Sequence, residues 1–423
     1  MPDTQILPSL SARVSSLKPS VTVAVTNRAK AMKAEGQNVL GFAAGEPDFD
    51  TPGAIKQAAI DALTNNQTRY MPTLGDTLTR GSVAEKLTRE NGIPGLSADH
   101  VAITVGGKHA LFAICQCLFD PPAPGEAPME GVLPTPAWVS YAPIVRLAGG
   151  EIVEVETTPG TDFKISPEQL KAAITQRTRA VFLNSPSNPC GTMYTPDELR
   201  ALGAVIAEAA STIAPELVVV SDEIYEKIIY GGIAHLSPGS IPEIADRVIT
   251  INGLSKAYAM TGWRVGYACA SGDWGKTFVK AMGTLQGQMT TNITSFVYPA
   301  IRTALSECAD EVEQMRQAFA KRAELIHGLL GELPGIVCPR PTGAFYVFPD
   351  VSAHFGKTTK GGVKITNALS FCESLLAEEL VALVPGDDFG GCGPNHCRIS
   401  FACSEEQINA GMERLGRFLA GLS

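Results

Sequence analysis

The sequence has no block of basic residues. Its 34 Lys and Arg are outnumbered by 43 Asp and Glu, giving a formal net charge of −9, so a nucleic-acid partner is not expected. No run of about eighteen apolar residues occurs, and no membrane span is expected. The opening MPDTQILPSLSARV carries Asp3 early and lacks an apolar core, so no secretory signal is expected and the cytoplasm is the expected location. The ten cysteines form no recognisable pattern. A single residue separates Cys115 from Cys117, too close for a zinc pair, and Cys392 and Cys397 flank His396 with no second pair nearby. They read as reduced thiols, and no metal site is expected. GKT occurs at 275–277 and 356–358, but the glycine a phosphate-wrapping loop requires is Ala270 in one case and Val351 in the other. GxSxG and HExxH are absent, which leaves a hydrolase or zinc protease without support.

What is present is an ordinary globular composition, 45% hydrophobic and 18% charged over 423 residues. That length exceeds one core and predicts two or more domains. Short apolar runs at 100–106, 131–138, 179–184, 217–222 and 247–253 read as strands, and helical patterns lie between them. The segment 195–210 opens with a complete helix start: Thr195 as cap, Pro196 in the first turn and Glu198 closing a capping box. The alternation predicts an α/β fold with a mostly parallel sheet, and the continuous LVVV fits a strand buried on both faces. Near residue 300 the pattern changes. A long amphipathic helix over 309–333 leads to a strand over 343–350, a helix around 363–379 and further strands in VALVPG and HCRISFAC, which reads as a second α+β domain. The Pro/Gly-rich stretch 120–131 reads as a surface loop.

Ligands of open parallel sheets sit beyond the carboxyl ends of the strands. Those ends here read GGKHA, AWVSY, NSPSNP, DEIY and GLSKAYAMTGWR. In the last, Lys256 is flanked by Ser, Ala, Tyr and Met rather than by charge. A desolvated lysine has a lowered pKa and attacks carbonyls. Arg264, eight residues on, suits a bound anion. Asp222 ends a strand, where a carboxylate also serves as a helix cap. Trp138, a lone tryptophan, reads as core. Arg398, on the short apolar strand CRIS, needs a partner, either a bound carboxylate or a neighbouring acid.

Taken together, AAGEPDFDTP (43–52), RYMPTLG (69–75), VGGKHALF (105–112), PAWVSY (136–141), NSPSNPCGTMY (184–194), SDEIYEKIIY (221–230), GLSKAYAMTGWRVG (253–266), TGAFYVF (342–348) and CRISFACS (397–404) resemble the class I, fold type I aminotransferases that use pyridoxal 5′-phosphate. The likeness is strongest to the bacterial aspartate and aspartate/prephenate subgroup. It implies a large cofactor-binding domain over 51–300, with its sheet sandwiched by helices. It also implies a small domain over 301–423, and an arm at 1–50 that contributes to the small domain. Lys256 would be the Schiff-base and proton-shuttling lysine. Asp222 would face the pyridine nitrogen, Tyr225 and Asn188 would contact O3′, and Trp138 would stack on the ring. Gly107, Lys108, Ser255 and Arg264 would hold the phosphate, joined by Tyr70 from the other subunit of a homodimer with shared sites. Arg398, helped by the backbone of Gly45, would hold the substrate α-carboxylate, and Asn188 and Trp138 would also bind the substrate. Lys108 would read a distal carboxylate, with Lys18 in KPSVT folding over the pocket, although Lys108 also reads as a surface lysine at a helix start. Pro189 and Pro186 are candidates for cis peptide bonds.

The implied reaction is ping-pong amino transfer between aspartate or glutamate and 2-oxoglutarate, oxaloacetate or prephenate. A lyase or synthase of the same fold, of the carbon–sulfur β-lyase or cyclopropane-carboxylate synthase type, would share Lys256, Asp222, Tyr225 and Arg398. LTRGS (78–82) departs from the subgroup's usual LR, which leaves Arg80 unassigned.

Overall fold

The computed structural model describes residues 10–17 and 21–423. Lys18 therefore lies outside the described residues. Among the described residues the strands, in chain order, are β1 (Leu40–Gly41), β2 (Val101–Thr104), β3 (Glu130–Thr135), β4 (Glu151–Glu156), β5 (Thr178–Asn184), β6 (Val218–Asp222), β7 (Val248–Gly253), β8 (Gly266–Ala270), β9 (Tyr346–Val347), β10 (Val381–Ala382), β11 (Val384–Pro385) and β12 (Cys397–Ser400).

Seven of these make the central sheet, in the order β2-β8-β7-β6-β5-β3-β4. All its neighbours are parallel except β8, which runs antiparallel to both β2 and β7. The α/β expectation holds, and the five apolar runs are five of the strands. β4 and β8 were not read as strands from the sequence. EIVEVE in β4 is an edge strand whose residues are only partly covered, and its glutamates hide the apolar positions. GYACA in β8 is short and poor in β-branched residues.

Successive side chains of the sheet enter opposite cores. Phe182, Val218 and Val220 pack under the helices Gly106–Leu118, Tyr141–Leu147 and Gly272–Gly287. Val181 and Val219 pack under Pro167–Ala173 and Pro196–Thr212. Each fully buried aliphatic side chain of this kind stabilises by roughly 1.5–3 kcal/mol. Beyond the β2 edge, Gly53–Thr64, Thr77–Asn91 and Tyr298–Glu307 share another core with β2 and β8.

The C-terminal third has its own core. Helices Ala309–Gly331, Ala368–Glu379 and Glu405–Ala420 surround the three-stranded sheet β11-β12-β9. The strand expected over 343–350 shortens to β9, and the helix expected from 363 starts at Ala368 behind an Asn367 cap. Phe42, from near the other end of the chain, is fully buried in this core. β1 pairs with β10, and the Ser400 N–H donates to Phe42 O at 2.9 Å. This stitching carries the segment 42–46 across to the ends of β5, β6 and β7.

The helix Pro196–Thr212 forms as the sequence indicates: Thr195 Oγ1 accepts from Glu198 N–H at 3.2 Å, and Glu198 Oε2 accepts from Thr195 N–H at 2.7 Å. Thr195→Ala should lower the unfolding free energy by about 1 kcal/mol, with Thr195→Ser retaining most of it. Urea titration of the variants against the parent chain checks this, and an unchanged midpoint would exclude the cap.

Candidate active site

The site grows from the ends of three adjacent parallel strands. Asn184 at the end of β5 stands opposite Asp222 at the end of β6, which stands opposite Ile251 of β7. Asn184 Nδ2 donates to the Asp222 carbonyl at 3.0 Å, and its Oδ1 accepts from Asn188 N–H at 2.9 Å. The strand end thus fixes the turn that presents Asn188. Ser185–Pro186 and Asn188–Pro189 are cis, as expected, and Thr135–Pro136 is cis as well. Gly191 closes this turn at φ +71, and a Cβ there would lie 1.9 Å from the Tyr346 carbonyl.

Asn188 meets Arg398. Arg398 Nη1 donates to Asn188 Oδ1 at 3.0 Å and Nη2 to Ala43 O at 3.1 Å, while Nε is buried without a partner. No carboxylate lies within salt-bridge distance of this guanidinium among the described residues, although it is only 4% exposed. A buried cation held by neutral oxygens has capacity left for an anion. The neighbouring-acid alternative for Arg398 therefore gives way.

Lys256 lies in the loop between β7 and β8. Two non-glycine residues there, Ala259 (φ +50) and Arg264 (φ +58), adopt the left-handed backbone, which is costly and recurs at functional sites. Cross-links hold the loop to the 43–52 stretch. Thr51 Oγ1 donates to Ala259 O at 2.7 Å, Trp263 Nε1 to Thr51 Oγ1 at 3.2 Å, and Thr261 Oγ1 to Glu46 Oε2 at 2.9 Å. They bring Gly45 O against Lys256 Nζ, which donates to it. Burial, and then the Arg398 cation, lower the Lys256 pKa to about 8, against the opposing pull of Glu46 and Asp222.

On the other side of Lys256, the helix Gly106–Leu118 begins with no side-chain cap. Its first-turn N–H groups are free to meet an anion. Gly106 has φ +79, and a Cβ there would lie 2.5 Å from Arg264 Nη2. A Cβ on Gly266 would lie 2.4 Å from Gly107 N. Two glycines therefore let β8, the helix start and the Arg264 guanidinium close on one another. Ser255 and Lys108 line the same space. Lys108 is exposed at its mouth, with Nζ 4.9 Å from the Trp138 ring centre. Partial desolvation, and then Arg264, lower its pKa.

Asp222 is buried and caps no helix. It accepts from Ile224 N–H at 3.2 Å and from the Tyr141 hydroxyl at 2.7 Å. Burial pushes its pKa up against those two donors and Lys256. Tyr225 lies with its hydroxyl 3.1 Å from that of Tyr346, and burial drives its pKa well up. Trp138 packs edge-on to Tyr141, ring centres 5.6 Å apart, and is half core, half cavity wall.

The result is one cavity of about 560 Å³. Gly45, Gly107, Lys108, Trp138, Asn188, Asp222, Tyr225, Ser255, Lys256, Arg264 and Arg398 all line it. Tyr70 does not: it is 89% exposed and lies outside the cavity. Tyr141 and Tyr346 also line the cavity. Both stand inside motifs quoted above, PAWVSY and TGAFYVF, but neither was singled out from the sequence.

The family described as "Aminotransferase class I and II" matches residues 37–415. The chain belongs to the class I and II aminotransferases. Its activity is amino transfer, and its matched relatives lend no support to the lyase or synthase alternative. It is 44% identical over 411 residues to the aspartate aminotransferase of Geobacillus stearothermophilus, covering 97% of this chain and 98% of that one. It is 42% identical to the aspartate/prephenate aminotransferase of Cereibacter sphaeroides, covering 98% and 99%. Among solved structures it resembles the aspartate aminotransferase of Rhizobium meliloti, with a TM-score of 0.90, 36% identity and coverage of 98% and 100%. For the Thermus thermophilus aspartate aminotransferase with maleate the figures are 0.87, 40%, 97% and 100%. No helix among the described residues of this aminotransferase is long and apolar enough to cross a membrane.

The desolvation of Lys256 has a measurable sign. Its neutral, nucleophilic form should appear through about pH 8, whereas ordinary lysines titrate at about 10.4. In the chain stripped of small molecules, acetylation of Lys256 by acetic anhydride should reach half its limiting rate near that lower pH, read by mass spectrometry of its peptide. A midpoint shared with the exposed lysines would exclude the desolvation.

Proposed function

We propose that this aminotransferase exchanges an amino group between aspartate or glutamate and a 2-oxo acid (2-oxoglutarate, oxaloacetate or prephenate), using pyridoxal 5′-phosphate. The observation that carries the reading is the position of Lys256. The amine is desolvated and sits between an uncapped glycine helix start with Arg264 and a buried Arg398 that no carboxylate pairs among the described residues. Those two anion sites match a phosphate and a substrate carboxylate.

The donor set fits the cofactor. Gly107 and Lys108 N–H groups, Ser255 and Arg264 would hold the phosphate. Asp222, kept in place by Tyr141 and Ile224 N–H, would hold the ring nitrogen. Asn188 and Tyr225 would hold the ring oxygen, and Trp138 would flank the ring. When bound, pyridoxal 5′-phosphate supplies a carbonyl that takes up the amino group and a ring that spreads the charge of the deprotonated substrate carbon.

The chain's own residues supply the remainder. Arg398, with Asn188, orients the α-carboxylate and so fixes the Cα–H bond relative to Lys256. Lys256 Nζ removes the proton from Cα and later returns one, and a pKa of about 8 suits both directions near neutral pH. Lys108 at the mouth reads the distal carboxylate of a dicarboxylic substrate, which is what separates aspartate and glutamate from neutral amino acids. Prephenate carries a second carboxylate and meets the same requirement.

The reading includes a homodimer in which Tyr70 serves the partner's phosphate site. Its exposure away from its own cavity supports this, and Asn292 Oδ1, which accepts from Met71 N–H at 3.4 Å, holds the Tyr70 stretch. A cytoplasmic location fits ten cysteines that are all free.

Lys256→Ala should abolish turnover while leaving the cofactor weakly bound; residual transamination in a coupled assay would remove Lys256 from the reaction. Lys108→Ala should cost aspartate and glutamate about 10–100-fold in kcat/KM, the worth of a charge-assisted hydrogen bond, and leave alanine and phenylalanine nearly unaffected. Equal losses for all four substrates would sink the distal-carboxylate role.

A further inference from the structure

Gln286 is a polar side chain shut away from solvent. It lies in the last turn of the helix Gly272–Gly287 and is 0% exposed. Its Nε2 donates to Thr73 O at 2.7 Å and to Ile103 O at 3.0 Å, and its Oε1 is buried without a partner. Both partners are carbonyl oxygens, so the amide can face them only with its NH2 group. Thr73 belongs to the turn that Gly75 N–H closes on Pro72 O at 2.8 Å. That turn docks on β2, where Ile103 N–H donates to Leu74 O at 2.9 Å. The helix comes close to it as well: a Cβ on Gly283 would lie 2.8 Å from Leu74 Cγ. Thr73 O and Ile103 O are both acceptors and cannot bond each other, whereas one NH2 group supplies a hydrogen to each.

We propose that Gln286 is a positioning residue that fixes the Tyr70 stretch to β2, and so sets how Tyr70 is presented to the partner's phosphate site. The inference rests on the shared-site reading above. The exposed Tyr70 stands just before this joint, and the Asn292 side chain holds only Met71 N–H beside it. Without the amide, two buried carbonyls lose their donor, and a segment must move to hydrate them. β2 is held along its whole length by β8 on its other side. The turn is therefore the part that yields, and the loss falls on Tyr70 rather than on the Gly106 helix start that follows β2 in the same chain.

The test reads the affinity for pyridoxal 5′-phosphate by equilibrium dialysis, in mixed dimers of two differently tagged chains. Lys256→Ala in one chain leaves tight binding only at the other chain's site. With Gln286→Met in the Lys256→Ala chain, the tight site receives Tyr70 from the altered chain, and its affinity should fall about 10-fold. With Gln286→Met in the chain that keeps Lys256, Tyr70 comes from the unaltered chain, and the parent affinity should remain. Gln286→Ala in the first pairing leaves room for a water that donates to both carbonyls, and should cost only about 3-fold. Met fills the space without donating, so a packing role would make Ala the worse of the two. If the Met chain does not fold, the two pairings made with Gln286→Ala decide on which side the loss falls. A loss confined to the second pairing, equal losses in both, no loss in either, or an Ala chain worse than Met would overturn the role of Gln286 alone. Tyr70→Phe in place of Gln286→Met in the first pairing should cost about 10–100-fold. No loss there, or a parent chain that is monomeric in solution, would overturn the shared-site reading and this inference with it.

Discussion

Everything in the site depends on keeping Lys256 short of water. An ammonium in a hydrated loop would stay charged at neutral pH and could not take a proton. Burial is the largest effect on this amine, and the Arg398 cation adds to it, while Glu46 and Asp222 act as counterweights. The balance is struck by side chains from four separate parts of the chain. The fold can be understood as the device that assembles them: parallel strands deliver Asp222 and Asn188 to one rim, the β7–β8 loop delivers Lys256 and Arg264, and β12 delivers Arg398.

Close backbone approach is the second constraint, and glycine meets it. Gly106 and Gly266 allow the helix start, β8 and Arg264 to touch. Gly191 allows the turn carrying Asn188 to dock against the Tyr346 carbonyl. Behind the site a buried polar network holds the turn that carries Asp222 and Tyr225. Lys86 pairs with Glu226, Asn91 Nδ2 donates to Glu223 Oε2 at 3.0 Å, and Ser221 and Ser237 both donate to Glu223 Oε1. Burial would raise the Glu226 pKa, but Lys86 and its hydrogen bonds hold it at about 2. Truncating one partner of such a buried pair costs far more than the pair contributes. The network therefore acts as a foundation that fixes where Asp222 stands.

Much of this was legible in the sequence because it is local. The apolar runs of β2, β3, β5, β6 and β7, the Thr195–Glu198 box and the cis prolines around Asn188 each depend on a few adjacent residues. Tyr141 and Tyr346 escaped because their meaning lies in partners 81 and 121 residues away, Asp222 and Tyr225. A tyrosine in an apolar stretch carries no sign of which acid or hydroxyl it will meet. β8 escaped for a related reason: its glycine and alanines suit close packing rather than strand propensity. Lys108 and Tyr70 show the converse, since their sequence positions are clear while the uses proposed for them require a substrate and a second chain.

The central claim is that one buried lysine, between a phosphate cradle and a carboxylate clamp, moves amino groups rather than eliminating them. Its most direct test is a single half-reaction. Holoenzyme mixed with aspartate, with no oxo acid added, should release close to one oxaloacetate per site and no free ammonia, and should then stop until 2-oxoglutarate is supplied. Continuous release of ammonia with a 2-oxo acid would contradict the account and place the enzyme among the lyases.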